Sequence, residues 1–561
     1  MIRRLIRPVF AVVAVTMFLL LSGGRPAHAA SATGSSRPAA ADSTIQGVVW
    51  QPPDAPGPAQ RELRRINEIG ATAVRLVGPL PADPVFARAD SLGLALFVDL
   101  PVAYVSAAAL DDSLEAARPV WQRLRRLAEQ YASVRAVGLA RGANTTDPAA
   151  CPPLREWTRT IRGWPSPPST YYVTPFTAAA DQCAGAVDRV LLDTRTRPAP
   201  LARLAPWRER GAAVGLGALG TWVRPGADTG LRVPHSPERQ ARYLETALTT
   251  RAGTSPSPGP VFVYRWQDRA ASALPTRAYG LHTPDGAARP AAGVVEGLYR
   301  GTQRVFAFPD GTAPTQTPVV PLLLGWAIVG LLGGLYARNP FVRQTLTRYF
   351  AAHGFYRDAV REGREVGTVE NPVLLGIVGG AMGLIGTLAA RVAADQRGTE
   401  LFVEALPAAL QPPLATALAH PAAAGLVVGA GAVALLLTWG VLLTGVARLE
   451  RPFTVAQGVM LVTWPCWPAV LGMMVAFVAA TDPPVAPGLL GLVLLGGGLA
   501  TTVAVSVRVL RDFGAVSGVD RPWLLVLALP SPLVLLGVGA TVLLLEYEVP
   551  LRLLWHLLTR T

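Results

Sequence analysis

The sequence predicts an α/β class chain: a (β/α)8 barrel of the TIM type, followed by an all-α transmembrane domain of six helices. Three observations carry this expectation. Eight short, apolar, strand-like runs recur between residues 45 and 266, mostly separated by stretches with apolar residues at helical spacing. Long apolar runs begin at Pro318, each near the ~20 residues that cross a hydrocarbon core. Finally, 51% of the 561 residues are hydrophobic and 16% are charged, more apolar than an ordinary soluble enzyme.

Residues 1–30 read as a signal peptide. They have a basic start (Arg3, Arg4, Arg7), an apolar run from Val9 to Leu21, and Ala27-His28-Ala29, whose small residues suit signal peptidase. An uncleaved anchor helix is the alternative, and either reading puts the domain after it outside the cytoplasm. Residues 31–44, rich in Ala, Ser and Gly, have little to bury and read as a tether.

The exported domain spans 45–315. Its expected strands are 45–50, 73–78, 95–100, 134–139, 171–175, 189–193, 213–219 and 261–266. Its expected helices are 60–69, 83–92, 113–132, 154–162, 201–210 and 237–250, and the short link after the fifth strand implies a degraded helix. An open doubly wound sheet is the alternative, weakened because no glycine-rich phosphate loop comes after the first strand.

The transmembrane domain occupies 318–561, with spans expected at 318–336, 372–393, 421–447, 458–480, 488–507 and 523–545. Loops 337–371, 448–457 and 508–522 carry Arg338, Arg343, Arg348, Arg357, Arg361, Arg364, Arg448, Arg451, Arg508, Arg511 and Arg521. Loops 394–420 and 481–487 carry only Arg397. By the positive-inside rule the first set faces the cytoplasm, in agreement with the leader. The expected location is the bacterial inner (cytoplasmic) membrane, multi-pass, with the N-terminal domain in the periplasm or outside the cell. Gly376, Gly379, Gly380, Gly383 and Gly496-Gly497-Gly498 read as close helix packing. Pro465, Pro468, Pro530 and Pro532 read as kinks, and segment 339–370 as an amphipathic helix on the inner leaflet.

The net charge of +14 suggests nucleic acid, but all 51 basic residues are Arg, scattered, and lie behind an export signal, so no nucleic-acid partner is expected. The six His show no ligand spacing, so no metal or other cofactor is expected. Cys151 and Cys183 share the exported domain, where a disulfide could persist, although sequence does not place the two sulfurs together.

Several segments resemble a known family. Gly47-Val48-Val49-Trp50 with Pro52-Pro53 resembles the first strand of retaining glycoside hydrolases of the β-galactosidase and β-mannanase type. Ile69-Gly70-Ala71-Thr72-Ala73-Val74-Arg75 resembles the second unit of that family and Phe97-Val98-Asp99-Leu100-Pro101 the third. Val261-Phe262-Val263-Tyr264-Arg265-Trp266-Gln267-Asp268 resembles the eighth strand. The resemblance spans nearly all of 45–300 and none of the membrane domain.

It implies two catalytic carboxylates about 5 Å apart, at the ends of strands four and seven. The first stretch reads Arg141-Gly142-Ala143-Asn144-Thr145-Thr146, and the second Ala218-Leu219-Gly220-Thr221-Trp222, both without an acid. A pseudoglycosidase is therefore expected, recognising a saccharide, an envelope glycan or a protein at its mouth. The resemblance makes Arg75 the group that orients the nucleophile and Trp266 the floor of a sugar site, with Asn144 and Trp222 as further ligand contacts. Asp99, Asp193 and Asp268 lie at strand ends and are the candidates for a displaced acid/base pair in an active glycosidase. A third reading gives the bundle the principal role, in envelope transport or assembly with inner-membrane protein partners and the lipid bilayer, and makes the barrel its external receptor.

Overall fold

The computed structural model describes residues 45–252, 259–269, 273–312, 319–364, 366–481, 487–545 and 550–560. The expected signal peptide and tether lie outside these described residues.

All eight expected strands form. They are β1 (Gln46–Trp50), β2 (Ala73–Leu76), β3 (Ala95–Asp99), β4 (Val134–Arg141), β5 (Ser169–Thr174), β6 (Arg189–Asp193), β7 (Val214–Leu219) and β8 (Val261–Val263). Each pairs in parallel with the next, and β1 pairs with β8, closing the barrel. The helices are α1 (Pro56–Glu68), α2 (Asp83–Ser91), α3 (Leu110–Ala116), α4 (Arg118–Gln130), α5 (Cys151–Arg162), α6 (Ala205–Glu209), α7 (Pro237–Ala252) and α8 (Pro290–Arg300). The link between β5 and β6 has only a 3-10 turn, Ala184–Ala186, in place of a helix.

Strand side chains alternate between two cores. Val49, Phe97, Tyr171, Val173, Leu191 and Phe262 fill the barrel interior. Val48, Trp50, Val74, Leu76, Val98 and Leu192 point outward, against a continuous apolar layer under the helices. Cys151 at the start of α5 is bonded to Cys183, which ties the segment after β4 to the one before β6.

The helical domain begins with α9 (Val319–Arg338). The expected amphipathic segment forms two helices, α10 (Pro340–Ala351) and α11 (His353–Glu362). Then come α12 (Glu370–Asp395), α13 (Arg397–Glu404), α14 (Gln411–Ala419), α15 (Pro421–Ala447), α16 (Val455–Thr463), α17 (Pro468–Thr481), α18 (Pro487–Ser517), α19 (Arg521–Ala528), α20 (Pro532–Leu545) and α21 (Leu551–Thr559).

Six spans are expected from sequence, but four helices among the described residues are long and apolar enough to cross a membrane: Val319–Arg338, Glu370–Asp395, Pro421–Ala447 and Val455–Val478. A bent pair, Arg521–Ala528 with Pro532–Val542, raises the number to five if it is one span. Pro530 and Pro532 remove backbone donors there, and the two halves meet at 52°. The expected span 488–507 is part of α18, which runs on into Arg508, Arg511 and Asp512; residues 482–486 before it lie outside the described residues.

Candidate functional site

The C-terminal ends of barrel strands carry the loops in which this fold builds its sites. Deepest is Arg75, on the inward face of β2. Its Nε donates to Asp99 Oδ1 at 3.1 Å, its Nη2 to Asp99 Oδ2, and its Nη1 to the Gly217 carbonyl at 2.8 Å. Tyr171 OH donates to Asp99 Oδ1 at 2.6 Å. A Cβ on Gly138 would stand 2.7 Å from both Asp99 Oδ1 and the Tyr171 ring, so a residue without a side chain is needed there.

Above this floor the mouth is lined by residues just past the strands: Tyr104 after β3, Asn144 and Thr146 after β4, Arg195 after β6, Trp222 after β7, and Arg277 and Tyr279 after β8. Gly142, one of the two places where the resemblance puts a catalytic acid, has φ +66°. A Cβ there would lie 2.6 Å from the Tyr104 ring. The space over the end of β4 is therefore filled by an aromatic side chain.

The mouth is not open. Helix α13, from the connection between two long apolar helices, enters it. Glu400 and Glu404 are four residues apart on this helix and so share a face. Arg195 Nη1 lies 3.1 Å from both Glu400 Oε1 and Glu404 Oε1, and its Nη2 lies 3.1 Å from Glu404 Oε2. Arg277 Nη1 donates to Glu400 Oε2 at 2.7 Å, and its Nη2 to the carbonyls of Ala394 and Gln396 at 2.6 and 2.9 Å. Tyr279 OH donates to Glu400 and Tyr104 OH to Glu404. Arg397 Nη2, at the start of α13, reaches the Asp193 carbonyl and lies 3.4 Å from its Oδ1.

Apolar contacts flank this polar centre. Leu401 packs with Tyr104, Phe176 and with Leu553, Leu554 and Leu557 of α21, while Val403 packs with Leu274 and Leu418. From α21, His556 Nδ1 lies 2.6 Å from Thr146 Oγ1 and 3.2 Å from Asn144 Oδ1.

The electrostatics reflect these neighbours. Burial alone would raise the Asp193 carboxyl, but Arg195 and Arg397 beside it outweigh burial and hold it well below the usual carboxylate range. Burial opposes ionisation of Glu404 likewise, and Arg195 and Arg141 overcome it, leaving its carboxyl lowered. Burial, with Arg560 and Arg552 nearby, lowers His556.

The structure brings some of the sequence-derived residues to the mouth and takes others away from it. Arg75 and Asp99 pair with each other beneath it. Asp193 holds Arg195 through Nε and Nη2, the latter at 2.8 Å. Asp268 accepts from the backbone of Tyr279 and Gly280 at 2.9 and 2.8 Å and from Arg289 at 2.7 Å, fastening the loop that carries Tyr279. Trp222 stacks on His235, with the Arg277 guanidinium 5.0 Å from its ring. Trp266 is 3% exposed and belongs to the apolar layer between strands and helices, so it presents no open face. Sequence reasoning missed Arg195, Arg277, Glu400 and Glu404. The available signal was an acidic pair at helical spacing around Leu401-Phe402-Val403, in a connection read only as a loop. Among the described residues no group of three or more His, Cys, Asp or Glu could hold a metal ion.

No protein-family model matches the chain, and no curated protein matches it. Solved structures similar to it include glycoside hydrolases. A GH2 beta-galacturonidase from Eisenbergiella tayi, bound to galacturonate, has TM-score 0.42 and 16% identity over 47% of this chain and 52% of that one. A beta-glucuronidase from an uncultured Clostridium has TM-score 0.40 and 15% identity over 46% and 50%. A beta-D-glucuronidase from Dictyoglomus thermophilum has TM-score 0.39 and 13% identity over 47% and 51%. The chain thus spans about half the length of the solved structures it matches.

Proposed function

We propose that this is a membrane protein whose exported barrel does not hydrolyse glycosides and instead works as a docking module, its mouth closed on the chain's own helical domain. The observation that carries the reading is the insertion of Glu400 and Glu404 between Arg195, Arg277, Tyr104 and Tyr279. A helix occupies the place where a saccharide would enter. The protein-recognition arm of the sequence reading is therefore favoured over the saccharide arm, and the recognised partner is in cis. It is also the arrangement expected of a receptor domain serving a membrane bundle in envelope transport or assembly.

An active glycosidase with relocated acids is the weaker reading. A general acid needs a carboxyl raised toward neutrality, whereas Asp193 is lowered by its arginines, and Asp99 and Asp268 are each bonded to arginine. Arg75, Asn144, Trp222 and Trp266 then serve to hold the mouth and its helices in place. Orientation in the inner membrane, with the barrel outside, rests on the arginine asymmetry of the loops.

The test uses the full chain in detergent. Amide exchange across α13 and turnover of a broad oligosaccharide panel are measured together. Protected α13 amides with no products support the reading. Turnover that disappears in Asp193→Asn would overturn it.

A further inference from the structure

Both arginines at the mouth are carried by the barrel and packed by its side chains. Arg195 is fixed by Asp193, two residues before it, and its guanidinium lies 4.8 Å from the Tyr264 ring and 5.7 Å from that of Tyr279. The Arg277 guanidinium stands over Trp222, and Asp268 holds the backbone beside it. Both arginines are at most 3% exposed in their side chains. A pair of oriented guanidinium forks with two phenolic donors, Tyr104 and Tyr279, is a carboxylate receptor by its chemistry, since the planar fork matches two carboxylate oxygens. In this structure it holds two carboxylates, brought within 3.1 Å of a single Arg195 nitrogen.

We propose that the barrel mouth is a binding site for a small ligand carrying two carboxylates, and that Glu400 and Glu404 are tethered competitors for it. The inference rests on the docked-mouth reading. A tethered group competes at an effective concentration in the millimolar range, so it masks the intrinsic affinity of the site for a free ligand. A ligand that wins displaces α13. It also frees Arg277 from the Ala394 and Gln396 carbonyls at the end of α12, so occupancy is transmitted to a long apolar helix.

The double variant Glu400→Gln/Glu404→Gln keeps the shape of both side chains and removes their charge. Binding to the full chain in detergent is measured for glutarate, for digalacturonate, and for neutral 1,5-pentanediol. Glutarate or digalacturonate should bind the double variant at least tenfold more tightly than the wild type, and pentanediol should bind neither. Whichever acid binds more tightly distinguishes an aliphatic from a saccharide source. Equal affinity in wild type and variant, or no binding to the variant, overturns the proposal. Should the variant fail to fold, the wild type supplies the same test, because exchange of α13 amides should rise saturably with either acid. If α13 exchanges freely without ligand, the docked-mouth reading itself fails. Protected α13 that ignores both acids sinks only this inference.

Discussion

At the scale of single residues, charge placement makes docking of the two barrel-contacting helices, α13 and α21, respond differently to pH. Glu404 has its carboxyl lowered when docked, so the docking it contributes is present above the ordinary carboxylate range and is lost as pH falls through the lowered value. His556 is lowered as well, but as a base. Undocked, it takes up a proton from about pH 6.5 downward, and docked it resists. Its contribution to docking is therefore present above that pH and declines as pH falls. In a hydrogen-exchange series, protection of α21 should weaken between pH 7 and 5, while α13 stays protected until below about pH 4. Simultaneous release of both helices would contradict the assignment. Sequence showed much of this site and missed its logic. Asp99, Asp193 and Asp268 stand out at strand ends, and Arg75 within its strand. What each one faces depends on loops far away in the chain. Trp266 shows the limit best: an aromatic residue past β8 suits a sugar floor, but the backbone there turns it under the helices, against His282.

At the scale of elements, the eight strands were legible because alternating inward and outward burial leaves a short apolar signature in each. The 26-residue helix α12 and the 27-residue α15 were legible as long apolar runs, and their glycines explain how they meet. A Cβ on Gly429 would lie 2.6 Å from the Gly379 carbonyl, and one on Gly425 would strike that of Gly383, so the two backbones touch along this stripe. Gly429→Leu should force the helices apart and cost about 1–3 kcal/mol, the range for overpacking a tight contact. The measurement is loss of a disulfide crosslink engineered across α12 and α15, with the barrel still folded by circular dichroism. An undiminished crosslink would mean the stripe is not a packing contact. Helix α13 was missed because eight residues give a weak periodic signal, and because its acidic face makes sense only once Arg195 and Arg277 are known to lie opposite.

At the scale of the whole molecule, contacts sort the helical domain into two ends. One holds the barrel with α13 and α21. At the other, Asp512 of α18 binds His353 and Arg357 of α11, and Arg451 donates to the Val516 carbonyl at 2.7 Å. Helix α12 leads from the far end to the barrel, and at 1.5 Å per residue its 26 residues measure about 39 Å, enough to cross a ~30 Å hydrocarbon core. The barrel and α21 are at the same end, so if the long apolar helices span a membrane, the chain between them would cross it an even number of times. Four apolar helices would return the chain to the barrel end by Val478. On that condition the bent α19–α20 pair would add a crossing only if α18 added one too. Since the end of α18 contacts α11, the connection to α19 belongs with residues 448–454, on the side away from the barrel. Single cysteines at Ala408, Leu449 and Asp520, probed in intact cells with a membrane-impermeant maleimide, test this directly. Ala408→Cys should label, while Leu449→Cys and Asp520→Cys should label only after permeabilisation. Labelling of Asp520→Cys in intact cells would mean that α18 does not cross, and that the bent pair α19–α20 lies on the barrel side with α21.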